Sequence, residues 1–190
     1  MTNHFSRRTR IVTGVAATAI IGTGALGTIA ATANASTSAP ATKASSQAPK
    51  STAAKNTQQT THLTEAAALR AATAALTAAE KAGQHVSVAV VDRDGRVIVE
   101  LRGDGSGPQS FKSAEEKGWT SVAWNAPTSE LAKRFASNPS MADIPGTLFL
   151  AGGAPVTAKG APIAGVGVAG APSGDLDEKF AQAGVATLAR

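Results

Sequence analysis

Apolar positions recur at helical or alternating spacing through most of residues 63–190, and this pattern predicts a series of helices and short strands. The first helix covers 64–81, where Thr64 is suited to cap it and Gly83 to end it. The other predicted elements are strands at 85–91 and 97–101 joined by a tight turn, helices at 111–124 and 127–136, strands at 147–150, 154–158 and 163–169, and a helix at 173–188. This order predicts a single α+β domain, an antiparallel β-sheet with helices packed on it.

The predicted helix over 111–124 carries two neighbouring faces of different chemistry. Phe111, Ala114, Gly118 and Val122 fall on one stripe, which suits packing against the sheet.

Lys117, Thr120 and Trp124 share that second face at helical spacing. A cation, a hydroxyl and a broad aromatic plane in one place would suit a flat ligand that carries carboxylates. The alternative is an ordinary amphipathic helix with an exposed lysine and a half-buried tryptophan. Spacing alone does not separate these two interpretations.

The N-terminus has the order of a secretory signal over residues 1–35. Arg7, Arg8 and Arg10 precede an uncharged apolar stretch, and Ala33-Asn34-Ala35 offers the small residues that a signal peptidase needs. We therefore expect a secreted or cell-surface protein. An uncleaved anchor helix is the alternative, and the paired arginines leave open a twin-arginine route alongside the general one.

Residues 36–62 are rich in Ser, Thr, Ala, Gln, Pro and Lys, a composition that predicts a disordered low-complexity tether. The signal and the tether also carry the excess basic charge, which is +5 for the whole chain. Residues 63–190 hold twelve basic and thirteen acidic residues. This balance removes the electrostatic case for a nucleic-acid partner.

The chain contains no cysteine, which excludes disulfides, thiolate zinc sites, iron–sulfur clusters and thiol catalysis. A serine hydrolase needs an imidazole as base, and only His62 and His85 follow the signal. The sequence shows no serine–acid pattern that would pair with either histidine, so no catalytic residue is assigned.

Three further motifs have a structural interpretation that outweighs the functional one. The glycines of 165–170 fit the dinucleotide-binding expression but lie inside a predicted strand, where close backbone approach explains them. Arg102-Gly103-Asp104 matches an adhesion tripeptide and is better explained as a turn. Asp175, Asp177 and Glu178 could bind a cation, yet they suit the cap and first turn of a helix better.

Several motifs together resemble the GlcG/HbpS family in order and spacing, over essentially all of residues 63–190. These motifs are 87–92 followed by Gly95, Leu101-Arg102 with Asp104-Gly105, Lys117 with Thr120, Gly152-Gly153, 165–170 with Asp175, and, for the secreted branch of the family, 107–110, 124–131 and 144–153.

The resemblance implies an α+β domain that forms homo-oligomers and binds haem. In the secreted branch it also implies haem degradation, retention of the released iron and signalling to a membrane sensor kinase. The family's Lys-x-x-Thr motif matches Lys117 and Thr120, which implies that Thr120 contacts the haem iron, with Thr128 as the second choice. Gly118 stands where the family usually has alanine, which predicts a looser helix.

The inventory of side chains agrees with a weakly held haem. Haem iron is ordinarily bound by His, Cys, Met or Tyr, and residues 63–190 have no Cys or Tyr and one methionine, Met141. Lys117, Arg102 and Lys112 are the predicted partners of the haem propionates.

The sequence thus favours an exported haem-binding protein. A non-catalytic extracellular module that binds a membrane receptor without haem is the alternative, and a small-molecule enzyme is a weaker third.

Overall fold

The computed structural model describes residues 51–189. The predicted signal and residues 36–50 of the predicted tether lie outside the described residues. The rest of the tether, 51–62, is exposed and contains one single-turn 3-10 helix, Ala54–Asn56.

The domain contains four α-helices and four strands within the described residues. In chain order they are α1 (Glu65–Lys81), β1 (Ser87–Asp92), β2 (Val97–Arg102), α2 (Pro108–Trp124), α3 (Thr128–Arg134), β3 (Gly153–Ala158), β4 (Ala161–Ala169) and α4 (Gly174–Ala186), with a 3-10 helix at Pro139–Asp143 between α3 and β3. Thr64 caps α1 by accepting from the Ala67 amide, and Ser173 caps α4 by accepting from the Leu176 amide.

The strands form one antiparallel sheet in the order β2-β1-β4-β3. The two central strands are buried along nearly their whole length. Alanines of α1 and the Phe180 region of α4 cover one face, and α2 covers the other. The predicted α+β fold is confirmed.

Glycines allow α2 to lie unusually close to the sheet. A Cβ at Gly165 would overlap the carbonyl oxygen of Gly118, and a Cβ at Gly167 would overlap that of Ala114. The close-approach interpretation of the strand glycines is therefore confirmed. Gly118 lies at the same contact, and α2 runs unbroken through it.

Two of the predicted details are wrong. Residues 147–150 are not a strand, because their backbone pairs with no strand of the described sheet. The Leu148 amide is bonded to the Thr120 side chain instead. Phe111 is not a buried position of the α2 stripe, since 41% of it is exposed. None of the helices within residues 51–189 is long and apolar enough to cross a lipid bilayer.

Candidate functional site

Lys117 of α2 is neither the exposed lysine of the amphipathic-helix interpretation nor a cation free to bind a ligand. The side chain of Lys117 is only 6% exposed, and its Nζ lies 2.8 Å from a carboxylate oxygen of Asp177, itself 4% exposed. The ammonium also donates to the carbonyl oxygen of Val168 at 3.1 Å. Lys117 therefore ties α2 to β4 and α4 through a buried ion pair.

Asp177 does more than occupy the first turn of α4. Its second oxygen accepts from the Ala171 amide at 2.9 Å. Burial raises the pKa of the Asp177 carboxyl above its ordinary value, while the adjacent Lys117 ammonium and the backbone donors oppose that rise. The ion pair thus offsets a desolvation cost that the carboxylate alone would bear.

Thr120 is fully buried, and its hydroxyl is already engaged on both sides. The hydroxyl donates to the Glu116 carbonyl oxygen at 2.7 Å and accepts from the Leu148 amide at 2.8 Å. Its predicted contact with haem iron stays a prediction. In this conformation the lone pair facing away from the helix is occupied by Leu148.

Leu148 belongs to an irregular segment, residues 144–152, which we call the strap. Side chains from three helices hold it: Thr120 accepts from Leu148, Glu178 accepts from the Gly152 amide at 3.4 Å, and Thr128 accepts from the Gly153 amide next to the strap at 2.8 Å. Thr128, the second choice for an iron contact, is thus buried and bonded as well. The strap lies across the C-terminal half of α2.

Glu178 also fixes α3, because its two carboxylate oxygens accept from the backbone amide and the hydroxyl of Ser129 at 2.9 and 2.6 Å. Asp177 and Glu178, at the start of α4, are therefore structural partners of neighbouring elements. Within residues 51–189, no group of three or more His, Asp or Glu side chains is placed to hold a metal ion.

Three aromatic rings, one of them from the strap, meet at the C-terminal end of α2. Trp124 packs edge-on against Phe135 and Phe149, with ring centroids 4.8 and 5.9 Å apart, and the two phenylalanines are 5.1 Å apart. The strap contributes Phe149 to this aromatic cluster. Beside it, the Thr147 hydroxyl is buried and has no hydrogen-bond partner within the described residues.

Arg102 and Lys112 lie away from this cluster, at the N-terminal half of α2. Arg102 donates to the Ser106 carbonyl oxygen at 3.2 Å, and exposed Lys112 pairs with Glu115 at 2.9 Å. Glu100 lies beside them. Burial raises the pKa of its carboxyl most, the Glu115 charge raises it further, and the Lys112 charge lowers it. One oxygen of Glu100 is buried without a partner within the described residues.

The structure therefore divides the predicted site residues among three places. Thr120 and Trp124 lie under the strap, Arg102 and Lys112 lie at the surface beside β2, and Lys117 is enclosed between α2 and α4. Sequence reasoning missed Asp177 as the lysine's partner and missed the strap. Lys117 and Asp177 are 60 residues apart in the chain, so no local spacing pattern could pair them.

Comparisons with known proteins agree with this architecture. A family model described as "Haem degrading protein HbpS-like" matches residues 63–186. The crystal structure of a double mutant of HbpS from Streptomyces reticuli is 67% identical, covers 74% of this chain and 97% of that chain, and has a TM-score of 0.73. A crystal structure of PduOC in complex with haem is 25% identical, covers 66% of this chain and 94% of that chain, and has a TM-score of 0.61.

The fold and the family match define the class of protein: the chain belongs to the HbpS-like family of haem-degrading proteins. A second crystal structure of HbpS is also 67% identical, covers 73% of this chain and 99% of that chain, and has a TM-score of 0.72. The search of curated proteins finds no match.

Proposed function

We propose that this protein binds haem and degrades it. The observation that carries the proposal is the pairing, in a chain of this family, of the Thr120 hydroxyl with an aromatic cluster beneath one irregular strap. Aromatic faces suit a flat, largely apolar ring, and a hydroxyl oxygen suits a weak axial ligand.

The donor set fits loosely held haem. Histidine is the usual strong ligand, but the hydrogen bonds of His85 and His62 are to the Asp104 carbonyl oxygen at 2.7 Å and to the Thr60 hydroxyl at 2.6 Å, not to α2 or the strap. The Thr147 hydroxyl, next to Leu148 in the chain, is buried without a partner among the residues that the structure describes, so the protein itself does not satisfy every polar group at this site. Thr120, Trp124 and Phe135 would hold the ring, and the bound haem would supply the redox-active iron.

Arg102 and Lys112 are the proposed partners of the haem propionates, and because they lie apart from the aromatic cluster, the proposal requires the ring to extend from Thr120 towards β2. Both cations are at the surface, where Lys112 pairs with Glu115, whereas Lys117 is neutralised by Asp177. Charge-assisted hydrogen bonds to carboxylates would then orient the ring. This assignment does not depend on which oxygen contacts the iron.

Titration of the purified chain with hemin and with its dimethyl ester tests these roles together. We expect a saturable Soret shift with hemin, and weaker binding of the ester because it lacks carboxylates. Arg102→Ala and Lys112→Ala should weaken hemin binding and leave ester binding unchanged, and Arg93→Ala, an exposed arginine in the β1–β2 turn, is the matched control. Equal losses for both ligands would contradict the propionate assignment, and no shift at all would contradict haem binding.

Degradation is tested by adding peroxide to the hemin complex and following loss of the Soret band and release of iron. The proposal expects turnover products that differ from those of free hemin under the same peroxide. Identical products and rates would show that the protein only carries haem.

The wider role is also part of the proposal: export by the N-terminal signal, homo-oligomer formation and redox signalling through a membrane sensor kinase. It is supported by the signal-like sequence of residues 1–35 and by the family. Recovery of the protein from culture medium, with cleavage after Ala35, tests export. Co-purification with a sensor-kinase ectodomain in the presence and absence of haem tests signalling and separates it from a haem-independent interaction module.

A further inference from the structure

The strap is attached to the body of the domain by few backbone hydrogen bonds. It makes no sheet ladder, and among the described residues 51–189 its only backbone bond to the body between its two ends is from the Leu148 amide to Thr120. At its C-terminal end, the Gly152 carbonyl oxygen accepts from the Val168 amide at 2.8 Å, and the Gly152 amide makes a longer bond to Glu178. A segment with so few backbone bonds has a low local opening free energy.

Glycines in the left-handed region of backbone space stand at two points of the strap. Gly146 has φ +80° and Gly152 has φ +134°, conformations that side-chain-bearing residues rarely adopt. Glycines of this kind can absorb the backbone rotations of a moving loop. The strap therefore has a flexible residue on each side of Leu148.

The closed strap also leaves interactions unsatisfied. The Thr147 hydroxyl is buried without a partner in the described part of the chain, which costs more than leaving it in water. Leu150 is 59% exposed and Ile144 is 39% exposed, so closure does not bury the strap's own apolar side chains. These features reduce the free-energy difference between the closed strap and an open one.

Opening would change what Thr120 and the aromatic cluster present. The Thr120 hydroxyl would keep its bond to the Glu116 carbonyl oxygen and expose the lone pair now taken by Leu148. Trp124 and Phe135 would lose the ring of Phe149 and expose their own faces. A hydroxyl oxygen and two aromatic faces are the contacts a flat metal-bearing ring needs.

We propose that the strap occupies the haem site of the ligand-free chain and opens as a unit, so that the Leu148 amide and the haem iron compete for the Thr120 oxygen. This inference rests on the proposed haem-binding function. Because binding then requires a minor open state, the apparent affinity is the intrinsic one reduced by the open fraction. Changes that favour the closed strap slow haem entry without touching a haem contact.

A disulfide can hold the strap closed, and the absence of native cysteine makes the pairing unambiguous. A Cβ at Gly174, in the first turn of α4, would lie 3.0 Å from the Cβ of Ala151, slightly inside the span of about 3.5–4.5 Å that disulfides use. The double variant Ala151→Cys with Gly174→Cys therefore pins the strap next to Gly152 after a small local shift.

A matched control exists on the opposite face of the sheet. A Cβ at Gly184 would lie 3.2 Å from the Cβ of Ala75, and it meets a backbone oxygen at 2.6 Å, as the Gly174 Cβ does at 2.7 Å. Ala75→Cys with Gly184→Cys thus joins α1 to α4 under the same strain and leaves the strap free. Both variants are used fully oxidised, so that no free thiol can bind iron.

Stopped-flow mixing of each oxidised variant with hemin gives the association rate. We expect the strap disulfide to slow association by at least about tenfold, since the open fraction controls entry, and the control disulfide to stay within about twofold of the wild type. A strap disulfide that associates at the wild-type rate overturns the inference.

Thr147→Val keeps the inference testable if a disulfide disturbs folding. Valine has nearly the same shape and removes the orphaned hydroxyl, which favours the closed strap, so association should slow severalfold. Thr157→Val, at an exposed position of β3, is its control. Faster or unchanged association of Thr147→Val contradicts the inference.

Hydrogen exchange separates this inference from the proposed function. In the haem-free chain the Leu148 and Gly152 amides should exchange together, with an opening free energy well below that of global unfolding. If hemin does not bind the wild type, the proposed function fails. The proposed competition for the Thr120 oxygen then fails as well. If these amides exchange only on global unfolding, the strap does not open and the inference fails whatever hemin does.

Discussion

Lys117 and Asp177 show how one buried contact can decide the behaviour of a whole helix face. Each side chain is more than nine-tenths buried, and each needs the other to offset its desolvation. The lysine that seemed free for a ligand instead fixes α2 against the start of α4. Any ligand at this face must be held by other groups.

Lys117→Met removes the cation and leaves the Asp177 carboxylate buried without its charge partner. We expect a loss of about 3–5 kcal/mol in the free energy of unfolding, measured by urea denaturation at pH 7. The double variant Lys117→Met with Asp177→Asn should recover part of that loss. If the single variant is as stable as the wild type, the ion pair is not the constraint described here.

Glu100 gives a pH dependence of defined sign. Burial and the Glu115 charge raise the pKa of its carboxyl, so over the range from its ordinary value of 4.5 up to the raised one the folded chain binds more protons than the unfolded chain. Stability contributed by this group therefore falls as pH rises through that range.

Glu100→Gln removes that titration. Urea denaturation at a series of pH values should show the glutamine variant gaining stability relative to the wild type as pH rises through the same range. Asp94→Asn, at an exposed position, serves as the control. A difference that is independent of pH would contradict the assignment.

At the level of elements, the close contact between α2 and β4 sets the position of every candidate site residue on α2. Its origin is the absence of side chains at Gly165 and Gly167 on the strand and at Gly118 on the helix. These glycines were readable from the sequence as a strand with close backbone approach. Which helix they meet was not, because that depends on the sheet order.

Gly167→Ala and Gly118→Ala separate the strand side of this contact from the helix side. The Gly167 Cβ would overlap a carbonyl oxygen of α2, and we expect a loss of about 1–3 kcal/mol or more. The Gly118 Cβ would meet its nearest atom at 3.1 Å, while alanine favours the helix by about 1 kcal/mol, so the net change should be small. Urea denaturation measures both, and equal losses would contradict the packing described.

The irregular strap marks where prediction from the sequence failed among the elements. Residues 147–150 are as apolar as a buried strand, and hydrophobic pattern cannot tell a strand from a loop packed by side-chain hydrogen bonds. The partners of Leu148 and Gly152 come from α2 and α4, far away in the chain. Capping residues and the hairpin, in contrast, depend on local chemistry and were predictable.

At the scale of the whole molecule, the family and the fold agree on a single α+β domain with a haem-related role. The sequence also predicted the residue types at the site, a threonine and a tryptophan on α2. It could not predict that the strap covers them, because that cover is a tertiary contact between residues distant in the chain.

Hemin titration of the wild type and Thr120→Val, followed at the Soret band, is the most direct test of the account. Valine keeps the shape of threonine and removes the oxygen proposed to contact the iron. Ser121→Ala is the control, because this neighbouring hydroxyl is buried and bonded to the Gly118 carbonyl oxygen at 2.9 Å. The account predicts a saturable shift in the wild type and in Ser121→Ala, and a lost or altered Soret band in Thr120→Val. A hemin complex of Thr120→Val with the same Soret band as the wild type would contradict the proposed role of Thr120.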